Sequence, residues 1–279
     1  MISVITAVHN QLAMNQLYWQ HLKASTRAPF ELIVIDNAST DGSGDFFASV
    51  GATVIRNTQN LSYPVTQNQG IAVARHDWLA FLNNDVIVSP GWDARLMASM
   101  EANGLDVATV CGIERVETRL ATRHLRQRWN LMRALFKWSA RTPDTLAKMH
   151  RWMYAWNGGW QAFSDQRAKQ FAGQVFEGFV GNTVMMRRQA LNKVGLWDET
   201  IQAGDFDLYL RTATRARDVG DIRPCHIVLD SFVHHFIRLT LDDKPTPFAD
   251  RANLRPLEAK WPAADLAQLQ ALQALHQRT

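Results

Sequence analysis

The sequence predicts an α/β protein whose mostly parallel sheet is flanked by helices. Two observations carry that expectation. Over the first hundred residues, short β-branched runs alternate with stretches of helical character, the order that βαβ units produce. Two of the apolar runs, LIVID and FLNND, stop at a carboxylate, Asp36 and Asp85. Ligands of open α/β sheets bind beyond the carboxyl ends of the strands, so these polar stops mark the edge where chemistry is expected.

Taken in order, Ile2 to Val8 reads as the first strand and ends at His9 and Asn10. Gln11 to Ala24 has helical character, with Leu12, Leu17 and Leu22 among its apolar positions. Glu31 to Ile35 reads as a second strand, followed by Ser39, Thr40, Asp41, Gly42 and Ser43, which have loop and N-cap chemistry. A short third strand is expected over Ala52 to Arg56, a helix over Gln67 to Arg75, and a fourth strand over Trp78 to Leu82. This topology would gather His9, Asn10, Asp36, Asn37, Asn83, Asn84 and Asp85 on one edge.

From about Val116 to Glu177 the alternation gives way to long helical segments rich in Arg and Trp, broken at Thr142, Pro143 and Asp144. Proline there suits the first turn of a new helix. Strand-then-helix character resumes in GFVGNTVMMRRQALNKVGLWDE, and QAGDFDLYLR carries Asp205 and Asp207. A last strand, His226 to Val233, precedes His234 and His235, and the tail from Pro245 becomes helical at about Ala263. The expected division is a domain over 1–244, with a helical insertion at about 116–177, and a C-terminal helical extension over 245–279.

A chain of 279 residues with 47% hydrophobic and 20% charged residues can bury one sizeable core. A net charge of +4 is too small to imply nucleic acid. Cys111 and Cys225 form neither a metal-binding spacing nor a disulfide framework, which suits a reducing cytosol. MISVITAVHN has no basic leader, and no apolar run approaches the ~20 residues that span a bilayer. The expectation is a cytoplasmic protein whose membrane contact, where it occurs, is peripheral at the inner face.

Five segments, VITAVHN, VIDNASTDGS, LNNDV, GNTVMMRRQALNKVGLWDE and GDFDLYLR, resemble in order the motifs of family 2 glycosyltransferases of the GT-A fold. The resemblance spans roughly Ile2 to Thr240, and the middle insertion matches poorly. It implies inverting transfer of a sugar from a nucleotide-diphosphate donor, UDP- or dTDP-linked by preference, to an acceptor hydroxyl. The setting it implies is polysaccharide or glycoconjugate assembly, with a glycan, lipid-linked or protein acceptor.

By the same resemblance, Asp36 falls at the nucleotide base, Ala7 in the nucleotide loop with backbone contacts to offer, Asn68 near the donor, and Asn84 at the ribose. Asp85 falls at the divalent metal, Mn²⁺ or Mg²⁺, which would stabilise the departing diphosphate as a Lewis acid and is commonly held by one or two carboxylates plus phosphate oxygens. Asp205 would be the base that takes the proton of the attacking hydroxyl. Trp197 and Asp198 match the acceptor side. His234, favoured over His235, would be a further metal ligand; the two point to opposite faces of a strand. LNNDV keeps only the last acid of the metal motif, and Gly204 stands where a second acid usually precedes the base.

Each residue also has a plainer reading. Asp85 would cap a turn, Asp36 would organise a loop, and Asn68 would cap a helix. Asp205 would be a helix-start acid favoured by the dipole, and Trp197 would be core. The two histidines would pack or cap. Two other functions compete: a sugar nucleotidyltransferase, and a non-catalytic nucleotide-binding or scaffolding homologue. The first needs a Gly-rich basic phosphate loop, and ITAVHNQLAMNQ has neither glycine nor a basic residue.

In RHLRQRWNLMRALFKW, Leu125, Trp129, Met132 and Phe136 fall on one helical stripe, with Arg119, Arg123, Arg126, Arg133, Lys137 and Arg141 beside it. Such a helix packs on its own domain, lies on an anionic membrane, or clasps a phosphorylated or acidic acceptor or another chain. Leu266, Leu269, Leu272 and Leu275 suggest a packing helix in the tail.

Overall fold

The computed structural model describes residues 1–237 and 246–278, with side chains to residue 272. Its first half follows the expected alternation: β1 (Ile2–Val8), α1 (Leu12–Ser25), β2 (Phe30–Asn37), α2 (Ser43–Ser49), β3 (Thr53–Asn57), α3 (Tyr63–Val73) and β4 (Trp78–Leu82). These strands lie parallel in the order β3-β2-β1-β4. Helix α3 starts four residues before the expected Gln67, because Pro64 fits its first turn.

The second half comprises β5 (Val86–Val88), α4 (Trp92–Ala102), β6 (Val107–Gly112), α5 (Arg119–Leu135), α6 (Pro143–Tyr154), α7 (Trp160–Gln170) and β7 (Val175–Glu177). β8 (Thr183–Arg187), α8 (Ala190–Val194), α9 (Gly204–Asp218), β9 (His226–His235) and α10 (Ala263–Arg278) complete the strands and α-helices among the described residues. Here the sheet turns mixed. The chain returns from the helical insertion at the edge where β4 ends, Thr183 opposite Leu82, so β8 runs antiparallel to β4 and β6. β6 pairs parallel with β9, and β5 and β7 flank β9 antiparallel. The ends of β1, β2, β4, β6 and β9 and the start of β8 therefore share one edge.

Apolar residues form a cluster on each face of the sheet, one under α1, α4 and the insertion, the other under α3, α8, α9 and α10. Thr118 and Thr142 cap α5 and α6 by accepting the N–H of Ala121 and Thr145, the second at the break expected around Pro143. Leu125 and Trp129 of α5 are buried and Met132 and Phe136 half-buried against the first cluster, so the apolar stripe named from sequence faces the protein's own core. Leu269 is buried and Leu266 and Leu272 half-buried against the second cluster. The side chain of Leu275, and Thr240, Pro245 and the boundary expected at 244/245, lie outside what is described. Among the described residues no helix is long and apolar enough to cross a membrane.

Candidate active site

Strand ends meet at the shared edge through a web of amides. Asn15 of α1, fully buried, donates to the Asn10 carbonyl (2.9 Å) and to Ser43 Oγ (2.8 Å), and accepts from Asn84 Nδ2 (2.7 Å). It ties the ends of β1 and β4 to the start of α2. Asn10 and Gln11 adopt positive φ, 58° and 70°, to turn the chain into α1. Asp36, buried at the end of β2, accepts from the Ser39 N–H (3.0 Å) and lies 3.5 Å from Arg56 Nη1. The start of α2 presses on it so closely that a Cβ at Gly44 would stand 2.0 Å from Asp36 Oδ2. Ala7 is half-buried against the second core cluster.

Asp85 follows β4 and is nearly buried. Its Oδ1 has no hydrogen-bond partner, although His235 Nε2 lies 3.1 Å away, outside hydrogen-bonding angles. His235 Nδ1 pairs on its other side with Glu114, which also accepts from Asn182 Nδ2 at 3.1 Å. Burial alone would lower the His235 pKa, but the Asp85 and Glu114 carboxylates hold it well above the usual imidazole range. Glu114 is correspondingly drawn down: burial raises it, and His235 more than offsets that.

His234 corrects the sequence expectation. Successive strand residues face opposite sides, and His234 turns away from Asp85 into the first core cluster. There its Nδ1 meets Tyr154 Oη at 3.0 Å, with Trp129 and Phe236 packed edge-on. Burial drives its pKa well below the usual range. Of the two histidines, His235 is the one beside Asp85.

Asp205 sits in the first turn of α9, where its Oδ1 accepts from the Phe206 N–H at 2.9 Å. Burial raises its pKa above that of a free aspartate. Gly181 makes room for it: a Cβ there would stand 2.3 Å from Asp205 Oδ2. Asp207 points the other way into full burial, matched by Arg211 Nε (2.8 Å), Lys260 Nζ (2.6 Å) and Trp261 Nε1 (2.9 Å).

A cavity of about 330 Å³ joins these pieces, lined among others by Tyr63, Asn83, Glu114, Asn182, Asp205 and His235. Asp85 stands behind His235 and does not itself line it. A second cavity of about 700 Å³ shares Glu114, Val180, Gly181 and Asp205 and extends along α5. The other named residues lie outside both cavities. Asn68 uses its whole amide on the Trp197–Glu199 loop, donating to Trp197 O and Glu199 Oε1 (both 2.9 Å) and accepting from Trp197 N. Trp197 is core, packed edge-on between Tyr63 and Phe81. Burial opposes ionisation of Asp198, yet Lys260 and Thr200 bring its carboxyl down to about 2. Of the residues named from sequence, Asp205 lines the cavity and Asp85 stands behind its His235, whereas Asn84 is held by Asn15 and, like Trp197 and Asp198, does not line it.

Sequence reading missed Asn15, Glu114, Gly181 and Asn182. Glu114 had a signal: VATVCGIE is a third apolar run closed by an acid, like LIVID and FLNND.

Asp85 Oδ1 has only the His235 imidazole beside it, and when a cation displaces the His235 proton the two offer an oxygen and a nitrogen donor at one point. That set suits Mn²⁺ or Mg²⁺ completed by ligand oxygens. His235 held from behind by Glu114 is the carboxylate-backed arrangement common to metal-binding histidines. Among the described residues no three His, Cys, Asp or Glu side chains converge as a complete cage.

Parallel strands ending at one polar edge, a mixed second half and a helix-borne carboxylate lining the cavity there define a GT-A-type α/β fold. The chain belongs to glycosyl transferase family 2, whose sequence model matches residues 3–195. It is 29% identical over 104 residues to an uncharacterized glycosyltransferase of Haemophilus influenzae, a match covering 37% of this chain and 35% of that protein. The fold is similar to that of S. aureus TarS 1-349, with a TM-score of 0.50 and 13% identity over 83% of this chain and 59% of that one. The mannosyltransferase PcManGT of Pyrobaculum calidifontis, solved with GDP-Man and Mn²⁺, gives a TM-score of 0.48 and 14% identity over 82% of this chain and 56% of that one. The chain thus spans about a third of the curated relative's length and under two thirds of each solved chain.

Proposed function

We propose that the protein transfers a sugar, with inversion, from a nucleotide-diphosphate donor to an acceptor hydroxyl. The observation that carries this reading is Asp205, a half-buried carboxylate on the wall shared by both cavities, whose pKa is raised by desolvation. A carboxylate of raised pKa is a stronger base for the hydroxyl proton, and Asp205 lines the same cavity as His235 and Glu114. Asp85 and His235 would hold a divalent ion, and that ion, when bound, supplies charge stabilisation for the departing diphosphate. Glu114 orients His235, Asn84 is the ribose candidate, and Ala7 and Asp36 border the expected base site. Asn68, expected near the donor, instead fixes the Trp197–Glu199 loop that follows α8. UDP- or dTDP-linked donors remain the preferred class by family resemblance.

A peripheral membrane contact has its own support. The segment 119–157 contains nine Lys or Arg against one acid, Asp144. It also displays Trp138 (91% exposed) and Trp156 (84%) together with Leu131 and Leu135. Exposed tryptophan within a basic surface suits an anionic headgroup layer. This surface is the opposite side of α5 and its neighbours from the stripe that packs inward.

The reading is tested by separating the two carboxylates. Asp205→Asn is expected to keep nucleotide binding and lose transfer, and Asp85→Ala to lose metal-dependent nucleotide binding. An Asp205→Asn protein with near-normal transfer would remove the assigned base.

A further inference from the structure

The larger cavity is walled on one side by arginines. Arg119, Arg123 and Arg126 of α5 recur at helical spacing on the face that lines it, and Arg115 lines it from the loop after β6. Asp205 also lines it. Two other carboxylates line the cavity, and both are already matched: Glu114 by His235 and Asn182, Glu117 by Arg167 at 2.9 Å. Arg126 gives one N–H to the Glu114 carbonyl (2.8 Å) and is otherwise exposed. Arg123 is exposed.

Arg115 supplies an independent observation. Its Nε and Nη2 are buried without a hydrogen-bond partner, while its guanidinium stacks on Phe176, 4.6 Å from the ring centroid. Burial pushes its pKa down to about 9, and among the described residues no carboxylate is paired with it. A buried guanidinium left unpaired is costly, and a planar fork of donors matches phosphate oxygens two at a time. The positive end of α5, seventeen residues long, opens on the same space.

We infer that the acceptor bears a phosphate group, bound in this cavity by Arg115, Arg119, Arg123 and Arg126, with its hydroxyl presented to Asp205. This deepens the reading above and rests on it for the role of Asp205. Several guanidinium groups on one wall favour a phosphate or diphosphate over a single carboxylate, because a monoanion matches only one of them. A phosphorylated sugar and a diphosphate-linked lipid share this chemistry.

The test is calorimetric, in phosphate-free buffer, with matched probes: glucose 6-phosphate against glucose, geranyl diphosphate against geraniol, and glucuronate as the carboxylate control. A parallel titration with nucleoside diphosphates and Mn²⁺ reports the donor site. The phosphorylated probes should bind and their unphosphorylated partners should not, and whichever probe binds tighter identifies the sugar-phosphate or the lipid source. Replacing both Arg123 and Arg126 with Ala, two exposed positions, should weaken phosphate binding about tenfold or more and leave nucleotide binding unchanged. Charge reversal by Arg123→Glu should weaken it further.

Three results would overturn the proposal: phosphate probes that bind the double variant as tightly as the wild type, glucuronate that binds as tightly as glucose 6-phosphate, or nucleotide binding with no phosphate-probe binding. Loss of nucleotide binding, with arginine-dependent phosphate binding intact, would instead remove the transferase reading and leave the anion site standing.

Discussion

Replacing Gly181 with Ala tests the role of Asp205 without touching the carboxylate. The φ of Gly181 lies outside the left-handed region, so the backbone accepts alanine, and the perturbation is steric. The new Cβ would stand 2.3 Å from Asp205 Oδ2 and 3.0 Å from both its Cβ and Cγ, whereas ordinary contact begins at 3.4 Å. Rotating the carboxylate alone does not relieve three such contacts, so the base must retreat by about an ångström. A displacement of that size costs about 10²-fold in rate, or about 2.7 kcal/mol in the barrier. Asp205→Asn, which removes the base, should cost about 10²–10⁴-fold. Gly181→Ala should therefore fall at the mild end of that range.

The assay is the initial rate of nucleoside diphosphate release with acceptor present, alongside nucleotide affinity and thermal unfolding. The expected result is a lower kcat, nucleotide Kd within about twofold, and a modest fall in Tm, the unfolded-state gain of about 0.4–1 kcal/mol offsetting only part of the about 1–3 kcal/mol that overpacking costs. A Gly181→Ala enzyme with kcat within about threefold of wild type would refute the reasoning, because a base that moves freely is not positioned.

The acid limb of kcat/KM should lie above the 3.8 of an unperturbed aspartate, because burial raises the Asp205 pKa and only the charged form accepts the proton. The raised value also means that ionised Asp205 opposes folding above its pKa and that this opposition is relieved as pH falls. Asp205→Asn should thus unfold no lower than wild type at pH 7, and a lower Tm would contradict the assignment. Asp207→Ala should destabilise the fold by about 3–5 kcal/mol in urea titration, since it leaves Arg211 and Lys260 without their buried carboxylate; a loss under about 1 kcal/mol would show the pair to be solvated. Wild-type protein should sediment with phosphatidylglycerol vesicles and not with phosphatidylcholine vesicles, and Trp138→Ala with Trp156→Ala should weaken that binding severalfold. Equal binding by the variant would place the contact elsewhere.

Local signals were enough for much of this fold. β1 and β4 fall where their β-branched and apolar runs place them, and Pro143 opens α6 as its fixed φ requires. Asp85 stood out because it closes an apolar run, and Asp205 because GDFDLYLR resembles a family motif, since an acid at a helix start is by itself ordinary. The antiparallel return of β8 was not legible, since strand direction depends on where the long insertion delivers the chain. His234 and His235 could not be separated by pattern alone, because alternation says that they face opposite sides and not which side holds Asp85. Trp197 and Asp198 look like ligand residues in one dimension. Tyr63, Phe81 and Lys260, distant in sequence, claim them in three. Asn15 and Gly181 act only through contacts with residues 69 and 24 positions away, so no window of sequence displays them.

The most direct measurement is calorimetric titration of UDP, dTDP, GDP and CDP, each with and without Mn²⁺, into wild-type protein and Asp85→Ala. The account predicts that one nucleotide binds preferentially, that Mn²⁺ strengthens it, and that Asp85→Ala removes the metal effect while the protein stays folded. Well-folded wild-type protein that binds none of the four, or binds one with the same affinity whether or not Mn²⁺ and Asp85 are present, would contradict it.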